Sequence, residues 1–535
     1  MSVTDRISSL GSRLARLRIL AAVSILLAAC CFSVGKTAAA EVSRALGKVN
    51  FPTSCAPAAQ SRLDDAVALL HSFQYREAEA AFTGISAHDP HCAMAYWGMA
   101  MSYYQQLWGW PNEHAFAKAR ADIELAEQQP GATSRERAYI EVASLFFEQQ
   151  PGADRIVIMQ AFSEAWAKVH REYPSDIDAG AFYALSLVAL AQNGVDDTAN
   201  RRKAIGILNP LFRAAPQNPG VAHYLIHAAD TPELAPLGLE AARRYASIAP
   251  DSAHALHMPS HIFVRLGLWR ESINSNIASA KAAAEAARKG PEEISYQVHP
   301  MDFLNYCYLQ AGDEAAARRV TEDLKDVIGA SPEQIANYRA DFLARIALET
   351  HHWSDAESLV AADQPRSEEN TYFVRTIGAS RNHHAEAAQR DLEKLEQLAA
   401  GLEEENSEVN TQLEEARAWV AFAQGRAVTA IHLLRVAANN EKLTTLSMPA
   451  REMLADMLLE SGHAAESLRE YELSLDEAPN RFDSLFGAAR AARPAGHPEE
   501  ARKFYSQLIA VSLATADRPE LREARVFLGS NPGSN

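Results

Sequence analysis

The segments G-H-A-A-E-S-L-R-E-Y (462–471) and G-H-P-E-E-A-R-K-F-Y (496–505) decide the fold. Gly462 and Gly496 stand 34 residues apart, and so do Tyr471 and Tyr505. Pro216 and Pro250 share the interval. Toward the start, Y-R-E-A-E-A-A-F (75–82) leads to Pro90 and then to A-M-A-Y-W-G (93–98). A repeat of this length is one helical hairpin with an apolar face it cannot bury alone, so neighbours stack and share a core. The pattern predicts helices over 156–171 and 177–192, and further units around Gly267, Gly312, Trp353, Ala387 and Gly425. Intervals stretch to about 45 residues, as between Gly267 and Gly312, so the array is irregular. The charged stretch 395–416 still favours helix and reads as a solvated face.

These marks resemble the tetratricopeptide (TPR) pattern: a small residue in the second helix, an aromatic four later, and a proline before the next helix. The resemblance covers nearly all of residues 41–530. It implies an all-α fold, a right-handed α-α superhelical TPR solenoid with irregular repeats. TPR arrays serve mostly as binding scaffolds, so the resemblance implies architecture and a protein or peptide partner more than any chemistry. A narrower resemblance is to exported bacterial TPR proteins of undefined function. It rests on Ala93–Gly98, H-Y-L-I-H (223–227), H-A-L-H-M-P-S-H-I-F (254–263) and P-N-R-F (479–482).

The formal charge of −17 comes without a basic stripe, which argues against nucleic acid and favours cationic partners. Residues 1–40 read as a signal peptide, with a basic start, an apolar run from Ile19 to Val34, and Ala38-Ala39-Ala40 before Glu41. Two alternatives stand: a lipoprotein signal ending at Cys30, and an uncleaved N-terminal anchor. The expected location is the periplasm or outside the cell, with membrane contact only through such an N-terminal anchor. Residues 531–535 read as a frayed tail. An oxidising compartment would allow a Cys55–Cys92 bridge, while Cys307 falls in an apolar helical pattern and reads as a buried thiol.

The histidines carry the functional signal. His223 and His257 are 34 apart, as are His227 and His261, and each pair is spaced i,i+4 on one helix face. In a TPR unit these places face the concave groove. His254 and Asp230 fall on the same face, and Arg265 follows the second pair. Aligning Gly312 with Gly267 sets His299 level with His254, Asp302 with His257 and Tyr306 with His261. Pro259 interrupts a helix between His257 and His261 at a cost of roughly 3 kcal/mol, which is most expected where a kink re-aims side chains.

Three readings follow. The first is a binding protein that recognises a peptide, protein or small ligand through His223, His227, Asp230, His254, His257, His261, Arg265, His299, Asp302 and Tyr306. The second is a transition-metal protein or metal-dependent enzyme in which His223, His227, His257 and His261 hold zinc, copper, nickel or iron. The third is a scaffold whose histidines only pack. No H-E-x-x-H, phosphate loop or G-x-S-x-G motif is present, so the pattern favours binding over catalysis. Trp97, Met101 and Tyr104 read as core or as an apolar groove end, with Trp108 and Trp110 in the next turn. His71 reads as packing and His383-His384 as a solvated turn.

Overall fold

The computed structural model describes residues 45–105, 107–148, 152–290, 293–401, 407–441, 446 and 448–529. The signal, lipoprotein and anchor readings of residues 1–40, and the tail 531–535, lie outside the described residues. Among the described residues there are helices and turns and no strand. None of these helices is long and apolar enough to cross a membrane.

Consecutive helices pair as hairpins. Arg155–Glu172 and Ile177–Gln192 match the expected 156–171 and 177–192 within a residue. The repeat's small and aromatic positions meet across neighbouring helices: Gly98 lies against the Phe82 ring, and Gly487 against the Tyr471 ring. A side chain at either glycine would hold the helices apart, which is the physical content of the small-residue position. Trp97, Met101 and Tyr104 are buried in the first core, at most 4% exposed, so they pack and do not form a groove end. Cys55 and Cys92 form a disulfide, and Cys307 is a buried thiol.

In a simple solenoid each repeat touches only its neighbours. Here both ends also reach the middle. Near the start, Lys48 N–H donates to the Gln217 carbonyl at 2.8 Å and Tyr245 bonds Ser72 at 3.3 Å. Near the end, Trp269 Nε1–H donates to the Asn480 carbonyl at 2.9 Å, and Leu513 N–H to Ala311 at 2.9 Å. Gly267 has φ +64°, and a Cβ there would overlap the Pro479 carbonyl oxygen, so this junction admits only glycine. The hairpins at 219–310 are thus contacted by both early and late segments of the chain, and they carry the histidines.

Candidate metal centre

Side-chain caps start two of the histidine-bearing helices. Asn218 caps Pro219–Ala229 by accepting from Val221 N–H, with Pro219 in the first turn where its missing N–H costs nothing. Ser252 caps the next helix by accepting from Ala255 N–H. That helix divides at the proline into Ala253–His257 and Pro259–Arg265. The long helix Ile294–Gln310 supplies His299.

The six imidazoles form two trios. In the first, His227 Nε2 and His254 Nε2 lie 3.1 Å and 3.0 Å from His223 Nε2. In the second, His257 Nε2 and His261 Nε2 are 3.1 Å apart, and His299 joins them. Within each trio the three candidate ligand atoms lie within 4.8 Å of one another. Each trio therefore combines an i,i+4 pair with a histidine from the following hairpin. The four-nitrogen set of His223, His227, His257 and His261 does not form as one group, because the two pairs belong to different trios. The trios are neighbours: the His227 and His261 rings, like the His254 and His257 rings, are 6.4 Å apart.

The outer nitrogens fix the tautomers. His223 Nδ1 lies 2.7 Å from the carbonyl of His71, a group that only accepts, so Nδ1 carries the proton. His71 is the last residue of its helix, where carbonyls lack an intrahelical partner. His257 Nδ1 lies 2.7 Å from Asn276 Oδ1, whose amide nitrogen donates to the Ser272 carbonyl at 2.9 Å. His261 Nδ1 lies 2.9 Å from Asp230 Oδ2, and Arg265 Nε donates to Oδ1 of the same carboxylate at 2.9 Å. Neutral His223 and His257 therefore turn a bare Nε2 lone pair inward, and His261 turns its Nε2 toward that of His257.

Burial drives the His223 pKa down to about 3 and pushes those of His227, His254 and His257 well below the ordinary value, with neighbouring imidazoles adding to the effect. These rings are neutral at neutral pH, the form that binds metal. Burial works against the charge on Asp230, but Arg265 and His261 outweigh it and hold the carboxyl well below the usual range. Each trio has a phenylalanine wall. Phe73 contacts His223, His227 and His254 with ring centroids 4.3–5.8 Å away, and Phe303 lies 4.7–5.2 Å from the other three rings. Phe73 adopts φ +54°, a left-handed backbone rare for a bulky residue.

Asp230 and Arg265 thus orient His261 from behind. Asp302 pairs with Arg345 at 2.5 Å. Tyr306 is not beside the imidazoles: it is buried, and its hydroxyl accepts from Arg481 Nη1 at 2.9 Å. His71 is fully buried against Asp178 (3.0 Å) and Tyr224 (2.9 Å), which anchors the carbonyl that His223 uses. His384 pairs with Glu357 at 2.8 Å, far in sequence from the trios. Asn276, Phe73 and Phe303 were not anticipated from sequence. Asn276 alone left a local signal, as an amide on the core face of its helix.

A cavity of about 660 Å³ opens on the second trio, lined by His261, His299, Asp302, Asp341 and Arg345 among others. No histidine of the first trio lines it.

No family model matches the chain, and no curated protein sequence matches it. Among solved structures it is similar to a monomeric IFIT1 mutant with Gppp-AAAA, at 13% identity over 83% of this chain and 95% of that one, with a TM-score of 0.39. It is also similar to a human IFIT1 dimer with m7Gppp-AAAA, at 11% identity over 83% and 94%, with a TM-score of 0.36. Likenesses this weak say nothing of ligand or activity, and the fold rests on the chain's own helices.

Proposed function

We propose that the protein binds two transition-metal ions, one in each histidine trio, in a compartment outside the cytoplasm. The observation that carries this reading is the His257–His261 pair. Both Nδ1 atoms are committed as donors to acceptors behind the rings, and the two Nε2 atoms converge at 3.1 Å, with a His299 ring nitrogen beside them. Convergent imidazole nitrogens, each held from behind through Nδ1, are the arrangement that binds a shared cation. In the first trio two neighbours approach His223 Nε2, whose single lone pair accepts one straight hydrogen bond.

Ligating histidines commonly donate their other N–H to a carboxylate or carbonyl, and His71, Asn276 and Asp230 supply such acceptors. Imidazole suits zinc, copper, nickel and iron(II), and an all-nitrogen set with no carboxylate ligand favours the later metals, copper and zinc. Three protein ligands leave a coordination position for an outside molecule. At the second trio that position faces the cavity. The export pattern in residues 1–40 and the Cys55–Cys92 bridge support the location.

Elemental analysis after loading untagged protein with copper or zinc tests the reading. Two equivalents are expected, falling to one in His227→Ala and to one in His261→Ala. Failure of the wild type to retain any of these metals would overturn it.

A further inference from the structure

The cavity beside His261 and His299 differs in character from the histidine trios. Its aromatic lining includes Phe303, Tyr338, Phe342 and Phe373. Five carboxyls also line it (Asp302, Asp341, Glu349, Glu415 and Glu441), against two guanidiniums, Arg345 and Arg366. Both guanidiniums are engaged: Arg345 with Asp302 at 2.5 Å, and Arg366 with Glu369 at 2.9 Å. Glu349 is matched from outside the cavity by Arg481 at 2.9 Å.

Asp341 has a different environment. Its oxygens accept from Ser367 Oγ at 2.8 Å and Asn370 Nδ2 at 3.1 Å, both neutral donors. Glu441 accepts from the Ala450 backbone N–H at 2.9 Å. Burial raises the pKa of Asp341, and burial together with Glu477 raises that of Glu441 to about 7. A carboxyl in that condition gains from an added cation, because the positive charge restores what burial took away.

We propose that this cavity takes a small organic cation with an apolar body, of the arylalkylamine class, with its ammonium toward Asp341 and Glu441. The aromatic lining adds cation–π attraction and apolar contact to the charge preference. A volume of about 660 Å³ suits a small molecule and not a docked helix. The end of the ligand remote from the ammonium reaches the cavity wall formed by His261 and His299. This last part rests on the metal reading above, whereas the charge preference does not.

Isothermal titration of metal-free protein with phenethylamine, and with 3-phenylpropionate as the anion of similar size, tests the charge preference directly. The amine is expected to bind at least tenfold more tightly, and an Asp341→Asn/Glu441→Gln variant to lose that difference. Repeating the titration on copper-loaded protein should change the amine affinity in wild type, and not in His299→Ala. Equal or tighter binding of the anion, binding of neither probe at millimolar concentration, or a preference that survives in the double variant would each overturn the proposal. Because the first titration needs no metal, loss of the amine preference and loss of metal binding are separate outcomes.

Discussion

Asn276 reaches His257 from the neighbouring helix Trp269–Lys289, with Oδ1 2.7 Å from Nδ1, and so turns the opposite ring nitrogen toward His261. The amide is itself held by Ser272, so the imidazole has one supported orientation. Asn276→Leu keeps the size and removes the acceptor. The affinity of the second ion should fall by about 10–100-fold, as for other groups that orient a ligating histidine. The number of ions bound at saturation should not change. Competition with a chromophoric chelator reads both quantities, and an unaltered affinity would contradict the orienting role.

Metal-free protein should weaken in acid. Burial holds His223 near 3 and depresses His227, His254 and His257, whereas unfolded imidazoles titrate near 6.5. Below about pH 6.5 the unfolded chain therefore binds more protons, so stability is complete above that pH and declines as the pH falls toward the folded values. Each such imidazole contributes a slope of up to about 1.4 kcal/mol per pH unit. Urea unfolding at about pH 7.5 and about pH 5 measures this, and a constant midpoint would contradict the burial.

Arg481 is fully buried between Glu349 (2.9 Å) and Glu452 (2.8 Å), and also donates to Tyr306. Arg481→Met leaves two buried carboxylates without their cation, and the expected loss is about 3–5 kcal/mol. The last hairpins, which meet the middle of the chain at this residue, should become the most protease-sensitive region. A loss below about 1 kcal/mol would show that the ion network does not hold this junction.

The Cys55–Cys92 bridge closes a segment of sequence separation 37. On loop-closure entropy its reduction should remove about 4 kcal/mol, felt first by the strap 46–59. Limited proteolysis with and without reductant should show new cleavage there only in the reduced protein.

The helical hairpins were legible because 34-residue spacing, small-residue positions and proline punctuation are local features. So was the common face of His223 and His227, which follows from i,i+4 spacing alone. The division into trios was not. His254 and His299 each turn toward the preceding hairpin, a choice set by inter-helix packing that register does not encode. Tyr306 lies on the expected face, two turns beyond His299. The returning segment 479–482 covers it there, a contact more than 170 residues away in sequence. Phe73 gave no signal because its ring is delivered by a left-handed turn that propensity would reject.

Residues 253–265 hold one donor of the first trio, His254, and two of the second, His257 and His261. An occupant that immobilises this short stretch, divided at Pro259, for one trio thereby aligns donors for the other. Uptake should then be cooperative, with the first equivalent meeting the entropic cost of ordering and the second arriving at a site already arranged. Joining the two short helices with Pro259→Ala should change how they move together and uncouple the two events, so that a biphasic or independent isotherm replaces a steep one.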